Sequence, residues 1–113
     1  MKKLMFIILG CILLTSCNQT ANSIANTTAN FKVWGNCNMC KETIEGSLKV
    51  DGVSKAEWDT ESKQIEVSYD STKISIDVIQ KHIASVGYDN DKYNGDGAAY
   101  NNLHECCKYE RKP

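Results

Sequence analysis

The stretch "VWGNCNMC", Val33–Cys40, joins a predicted strand to a predicted helix and carries two cysteines three positions apart. Phe31–Trp34 alternates in polarity with the period of a β-strand. Residues 40–50 then place apolar side chains at helical spacing, and Asp51 and Gly52 end that pattern. The dithiol is therefore expected on the loop after a first strand, in the first turn of a first helix.

The rest of the domain predicts a β-hairpin, a second helix and a last strand. Residues 53–69 alternate in polarity on either side of a central turn. Ser75 is predicted to cap a second helix that Gly87 ends, and Tyr88–Tyr93 is predicted to form a short strand. The order βαββαβ predicts a ferredoxin-like α+β sandwich: a four-stranded antiparallel sheet with two helices on one face.

The amino-terminal residues are typical of a bacterial lipoprotein signal. Residues 1–3 are positively charged, residues 4–14 are almost wholly apolar, and the segment that ends in Cys17 resembles the lipoprotein cleavage box. The resemblance implies a signal peptide over 1–16 and lipid on Cys17, where two or more acyl chains would give stable anchoring. An ordinary signal peptide with a chance cysteine is the alternative.

Residues 17–29 are predicted to be the lipidated cysteine and a flexible tether, because residues 18–29 are polar, uncharged and unable to bury a core. We therefore divide the chain into this segment, a domain over 30–93 and a short carboxy-terminal extension over 94–113. The expected location is outside the cytoplasm, anchored by lipid to a bacterial membrane and facing the periplasm.

Composition excludes several functions. The full chain has a formal net charge of −1, and loss of the signal peptide would remove two lysines and no acid, so no basic patch suits nucleic acid. The sequence shows no Ser/His/Asp set, no carboxylate pair in an apolar frame and no phosphate-cradling glycine loop. We therefore expect a binding protein that is not an enzyme.

The chemistry of the dithiol follows from its expected place at a helix amino terminus. Unpaired backbone N–H groups there favour thiolate over thiol, and thiolates both attack disulfides and bind metals. A thiol–disulfide redox protein is thus one alternative. Against it, thioredoxin-like proteins place a cis-proline opposite the dithiol, whereas the single proline here is Pro113. A purely structural assembly module is a third alternative.

A set of landmarks recurs along residues 31–93: Gly35, Cys37-x-x-Cys40, Gly52-Val53, Val67-Ser68-Tyr69-Asp70 and Gly87-Tyr88. With these landmarks, residues 31–93 resemble the heavy-metal-associated domain of copper chaperones, metal-transporting ATPases and periplasmic mercury-binding proteins. One departure stands out: family members usually read Gly-Met-x-Cys-x-x-Cys, whereas here Asn36 alone separates Gly35 from the first cysteine.

The resemblance implies a metallochaperone or metal scavenger that holds a soft ion through Cys37 and Cys40 and passes it on by thiolate exchange. Two thiolates on a surface loop suit Cu(I) first and Hg(II) next on softness, while Zn(II) prefers four ligands and would need more. The expected partners are the metal ion, a metal-transporting ATPase or another metal-handling membrane protein, and the membrane itself through the lipid anchor.

The extension carries a second group of metal-ligating residues: His104, Cys106 and Cys107. Ala99, Leu103 and Cys106 are spaced as one face of a predicted short helix. Three interpretations stay open: these side chains complete the dithiol site, they form a site of their own or assist transfer, or the cysteines form a structural disulfide with Cys37 or Cys40.

Overall fold

The computed structural model describes residues 25–113, so the predicted signal peptide, Cys17 and most of the predicted tether lie outside the described residues. Within that range no helix is long and apolar enough to cross a bilayer. In chain order the elements are β1 (Thr27–Lys32), α1 (Asn38–Gly46), β2 (Val53–Trp58), β3 (Gln64–Tyr69), α2 (Ile76–Ser85), α3 (Gly97–Asn101) and a 3₁₀ turn (Glu105–Cys107).

The described residues form a three-stranded antiparallel sheet in the order β1-β3-β2. The predicted hairpin is confirmed as β2 and β3, with Trp58 opposite Ile65. The turn is held by the backbone N–H of Ser62, which donates to the Asp59 carboxylate (2.8 Å). Lys63 completes the turn with a positive φ of 64°.

One face of the sheet is buried against both helices. Along β3 the buried residues alternate with partly exposed Glu66 and Ser68, as a period of two requires. The predicted cap of α2 is confirmed, because the Ser75 side chain accepts a hydrogen bond from the Val78 N–H (3.2 Å). The core cluster that sheet and helices share includes Phe31, Ile44, Leu48, Trp58, Ile65, Val67, Tyr69, Ile79 and Ile83.

The predicted last strand over Tyr88–Tyr93 is not formed in the described residues, and the expectation of four strands is not met there. A single antiparallel bridge between Val33 and Asn90 stands in its place. The Asn90 side-chain oxygen accepts the backbone N–H groups of Lys92 (3.1 Å) and Tyr93 (3.0 Å). This Asx-type turn bends the chain away from the sheet after one paired residue.

The sheet starts earlier and α1 ends earlier than predicted. β1 begins at Thr27, so its first three residues, which were predicted to belong to the tether, form pairs with β3. Each of the six residues of β3 has a partner in β1. Helix α1 ends at Gly46 instead of Val50, and the Ser47 hydroxyl donates to the Ile44 carbonyl (2.7 Å) just past the end. The folded domain therefore begins before residue 30.

The extension forms two short turns of helix instead of one continuous helical face. Because α3 ends at Asn101 and the 3₁₀ turn starts at Glu105, the predicted alignment of Ala99 with Cys106 is lost. As a result Cys106 is exposed and its neighbour Cys107 is buried.

The end of the extension is fastened to the domain through Tyr109 and Asp89. The Tyr109 hydroxyl donates to the Gly87 carbonyl (2.7 Å) and accepts the Asp89 N–H (2.9 Å), both in buried positions. The Asp89 carboxylate in turn accepts two hydrogen bonds from the Arg111 guanidinium (2.6 and 3.1 Å). These contacts seat the 3₁₀ turn beside the loop that follows β1.

Candidate metal centre

The dithiol loop lies where the sequence predicts, between β1 and α1. Cys37 is the N-cap residue of α1 with an extended backbone (φ −146°, ψ −178°), and Cys40 lies in the first turn with its side chain fully buried. Gly35 passes so close to Trp58 that a Cβ there would be 3.0 Å from the indole ring. The loop is therefore packed against a rigid, buried aromatic side chain.

Three cysteine sulfurs meet at this loop. The sulfurs of Cys37 and Cys40 are 3.9 Å apart, and Cys107 Sγ joins them so that all three lie within 4.8 Å of one another. A three-coordinate ion with metal–sulfur bonds of about 2.3 Å has its sulfurs about 4.0 Å apart. The three sulfurs therefore need only small shifts to hold one ion, and we call them the three-thiol site.

The thiols of Cys37 and Cys107 differ in their tendency to ionise. The backbone N–H of Cys40, and then that of Met39, lie near Cys37 Sγ and lower the pKa of Cys37, although neither forms a capping hydrogen bond of full geometry. Burial, followed by the neighbouring Cys40 thiol, raises the pKa of Cys107 to about 12. Cys37 is therefore the readier nucleophile, and a bound cation would favour loss of the Cys107 proton.

Asn36 orients Cys40, a contact that the sequence analysis did not predict. The Cys40 thiol donates to Asn36 Oδ1 (2.9 Å), and the Asn36 N–H reaches back to Cys40 Sγ (3.4 Å). Asn36 lies in the place where the resemblance led us to expect a methionine. The side-chain oxygen of Asn36 accepts the hydrogen bond of the protonated Cys40 thiol. The backbone N–H of Asn36 can donate to the sulfur when it is a thiolate.

Tyr88 brings a buried hydroxyl to the same place. Its oxygen has no hydrogen-bond partner among the described residues. Burial raises the pKa of Tyr88, and the nearby thiols of Cys40 and Cys107 raise it further. A buried donor without an acceptor is costly, so a hydroxyl next to two thiols fits a site whose sulfurs become thiolates when an ion binds. The Tyr88 ring stacks on Tyr109 (5.2 Å between centroids), which links it to the extension.

Of the five ligands that the sequence suggested, the structure brings three together. His104 is exposed and lies outside the cluster, as does Cys106. The Cys106 thiol points instead at Met39, 3.3 Å from its sulfur. The cysteines within residues 25–113 are all free thiols. The 3₁₀ turn decides that Cys107 faces inward and Cys106 faces the solvent. No local sequence signal predicts this choice.

Among known protein families, residues 36–89 match the family described as "Heavy-metal-associated domain". The copper chaperone CopZ of Staphylococcus haemolyticus (strain JCSC1435) is 35% identical over 54 residues, which are 47% of this chain and 79% of that protein. The family match ends at residue 89, so the extension that carries Cys107 lies beyond it.

Solved structures show the same fold. A CopZ metallochaperone aligns with a TM-score of 0.55 and 32% identity over 57% of this chain and 98% of its own. The amino-terminal domain of the zinc(II) ATPase ZiaA, in its apo form, aligns with a TM-score of 0.50 and 36% identity over 57% of this chain and 62% of its own.

Proposed function

The chain belongs to the heavy-metal-associated domain family, and from that premise we propose that it is a metallochaperone whose preferred cargo is Cu(I). In this proposal Cys37 and Cys40 bind the ion as thiolates and Cys107 supplies a third ligand. The observation that carries the proposal is the approach of these three sulfurs to within 4.8 Å of one another.

The donor set favours a soft ion. Thiolates select Cu(I) over hard cations, and Hg(II) shares that preference. Zn(II) forms four-coordinate structural sites, whereas the cluster offers three sulfurs. The similarity to a copper chaperone supports Cu(I), and the similarity to a zinc ATPase domain keeps Zn(II) as a competitor for measurement.

The burial of the three thiols suggests how the ion leaves. Cys40 and Cys107 are buried, and Cys37 is partly exposed. A partner thiolate therefore reaches the ion from the side of Cys37 and bonds to it as the Cys37–metal bond breaks. A second partner thiolate then bonds to the ion as Cys107 and Cys40 leave, and the three freed cysteines take up protons from water. The ion keeps two or three sulfur ligands throughout, so it is never free in solution.

A location and a partner complete the proposal. The lipoprotein-like residues 1–17 support an exported protein tethered through Cys17 and facing the periplasm. Similarity to the amino-terminal domain of a metal-transporting ATPase supports such an ATPase as the membrane partner, because domains of one fold can present matching dithiol loops to each other.

The distance of 3.9 Å between the Cys37 and Cys40 sulfurs supports one second candidate, a thiol–disulfide redox protein. The N–H groups of Cys40 and Met39 that lower the pKa of Cys37 also suit it to attack a disulfide. This candidate predicts reduction of a disulfide substrate in metal-free solution and no tight binding of Cu(I).

A competition titration tests the proposal. The reduced full-length chain is kept anaerobic, in mild detergent because residues 4–14 are apolar, and competes with a Cu(I) chelator, with Zn(II) measured in parallel. We expect one Cu(I) per chain and a loss of at least about 100-fold in affinity for Cys37→Ser and for Cys40→Ser, about 2.7 kcal/mol each. Cys106→Ser, whose sulfur lies outside the three-thiol site, is the matched control and should change the affinity by less than twofold. A wild-type chain that fails to outcompete the chelator contradicts the proposal.

A further inference from the structure

We propose that Met39 and Cys106 form a surface sulfur pair that receives the soft ion from outside and passes it to the three-thiol site. This inference rests on the proposed function, because it concerns how the same cargo arrives. It assigns a role to two exposed side chains that lie outside the three-thiol site.

The two sulfurs of the surface sulfur pair are in direct contact at the protein surface. The Cys106 thiol lies 3.3 Å from Met39 Sδ. Met39 is 40% exposed, which is unusual for a large apolar side chain in the described part of this chain, where only Val78 is comparable. A thioether and a thiol are both soft ligands of the kind that Cu(I) accepts.

The pair connects to the three-thiol site through neighbouring sulfurs. Cys106 Sγ is 3.9 Å from Cys107 Sγ, and Cys107 belongs to the three-thiol site. Two sulfurs that hold one ion through bonds of about 2.3 Å lie at most about 4.6 Å apart. Both separations, 3.3 Å and 3.9 Å, fall inside that limit. An ion can therefore stay bonded to two sulfurs at each of these steps.

The backbone keeps the surface sulfur pair next to the dithiol loop. Met39 lies between the two cysteines of the loop in sequence, so the first turn of α1 fixes its place. From the other side, the Cys37 thiol donates to the carbonyl of Cys106 (3.4 Å). The contact between Met39 and Cys106 is thus held by two segments that meet at the metal centre.

The transfer is a ligand exchange without any change of oxidation state. The ion first bonds to Met39 and Cys106, whose thiol gives its proton to water. Cys107 then bonds to the ion, releasing its own proton, as the bond to Met39 breaks. Finally Cys37 and Cys40 bond to the ion and release their thiol protons to water, while Cys106 leaves the ion and takes one proton back.

The composition of the pair suits capture more than storage. One neutral thioether and one thiolate give a weaker site than three thiolates, and both side chains are exposed to water. The ion therefore moves inward down a gradient of affinity, and the surface sulfur pair affects the rate of loading instead of the final occupancy.

The test is the rate at which Cu(I) is loaded from a chelator, followed by stopped-flow absorbance of the thiolate–copper band. The sample is the reduced full-length chain in detergent under anaerobic conditions. For the double variant Met39→Leu/Cys106→Ser we expect loading at least tenfold slower than wild type, with less than a twofold change in copper bound at equilibrium. Met39→Leu alone, which keeps the side-chain volume, should show part of the slowing. Val78→Leu, at the other large apolar residue that is exposed within residues 25–113, should load at the wild-type rate.

Each outcome separates this inference from the proposed function. If the double variant loads as fast as wild type, the relay is overturned while the metallochaperone stands. If the double variant loses affinity tenfold or more at equilibrium, Met39 or Cys106 is a ligand of the resting site, and the relay is again overturned. If the wild-type chain does not bind Cu(I), the failure lies with the proposed function.

Discussion

At the scale of single residues, the thiols of Cys37 and Cys107 should differ in reactivity because their pKa values are shifted in opposite directions. Nearby backbone N–H groups lower the pKa of Cys37, and burial raises the pKa of Cys107 to about 12. Since the thiolate is the reactive form, iodoacetamide at pH 8 should modify Cys37 at least tenfold faster than Cys107 in the metal-free chain. Peptide mapping by mass spectrometry gives both rates.

The unfolded chain is the control for that experiment. In concentrated urea the environments of Cys37 and Cys107 become alike, so their rates should converge. Bound Cu(I) should protect both residues in the folded chain. Modification of Cys107 at the rate of Cys37 in the folded, metal-free protein would show that Cys107 is not held in the buried position described above.

A second residue-scale prediction contrasts two glycines. A Cβ on Gly35 would lie 3.0 Å from the Trp58 ring and 3.4 Å from Cys40 Cβ, whereas one on Gly46 meets nothing within 4 Å. Gly35→Ala should therefore cost about 1–3 kcal/mol of unfolding free energy through overpacking. Gly46→Ala should stabilise by up to about 1 kcal/mol, because alanine is the better helix former. Urea unfolding measures both, and equal effects of the two substitutions would contradict the tight approach at Gly35.

At the scale of elements, the extension is tied to the domain by the ion pair between Arg111 and Asp89. The Asp89 side chain is 2% exposed and that of Arg111 is 34% exposed. Arg111→Ala should lower the free energy of unfolding, measured in urea, by about 1.5–3 kcal/mol. Asp89 then keeps its hydrogen bonds from the Gly95 and Lys112 N–H groups but loses its charged donor. Arg111→Lys, which keeps the charge without the two-pronged geometry, is the matched control and should cost less.

The same ion pair predicts a pH dependence. Burial acts to raise the pKa of Asp89, but the Arg111 guanidinium and the N–H groups of Gly95 and Lys112 outweigh it and hold the pKa below its usual range. A carboxyl with a lowered pKa contributes stability above its unfolded pKa of about 3.9 and loses that contribution as the pH falls through the folded value. Urea unfolding at a series of pH values measures how much larger the free energy of unfolding is for wild type than for Asp89→Asn. This difference should be constant above about pH 5 and shrink below about pH 4. An advantage that grows in acid would contradict this assignment.

The sequence predicted correctly those elements whose signals lie within a few residues of the element itself. The alternation around Thr60–Lys63 predicted the hairpin, and Ser75 predicted the start of α2. The dithiol lies at the start of α1, as expected. The predicted last strand is not formed for two reasons. Asn90 bends the chain through a local turn onto the N–H groups of Lys92 and Tyr93, which the strand prediction overlooked. The buried charge of Asp89 is balanced by Arg111, which lies far along the chain. The selection of Cys107 over Cys106 depends likewise on how Tyr109 fastens the extension, which helical spacing cannot reveal.

At the scale of the whole molecule, a family domain is combined with an extension that places a third thiol beside its dithiol loop. The family match covers residues 36–89, and the extension adds Cys107, Tyr109 and Arg111 beyond it. Close packing makes this addition possible: a Cβ on Gly95 would lie 2.5 Å from the Gly87 backbone. An open dithiol loop is thereby converted into a partly buried centre with a third thiol, which should hold the ion more tightly and release it through Cys37.

The number of sulfurs around bound Cu(I) tests this account most directly. X-ray absorption at the copper edge, on the full-length chain loaded with one equivalent, counts the ligands and gives their distances. We predict three sulfurs at one distance in the wild-type chain and two sulfurs, at a shorter distance, in Cys107→Ser. Two sulfurs in the wild-type chain, unchanged by Cys107→Ser, would contradict the three-thiol site and leave a dithiol carrier with an uninvolved extension.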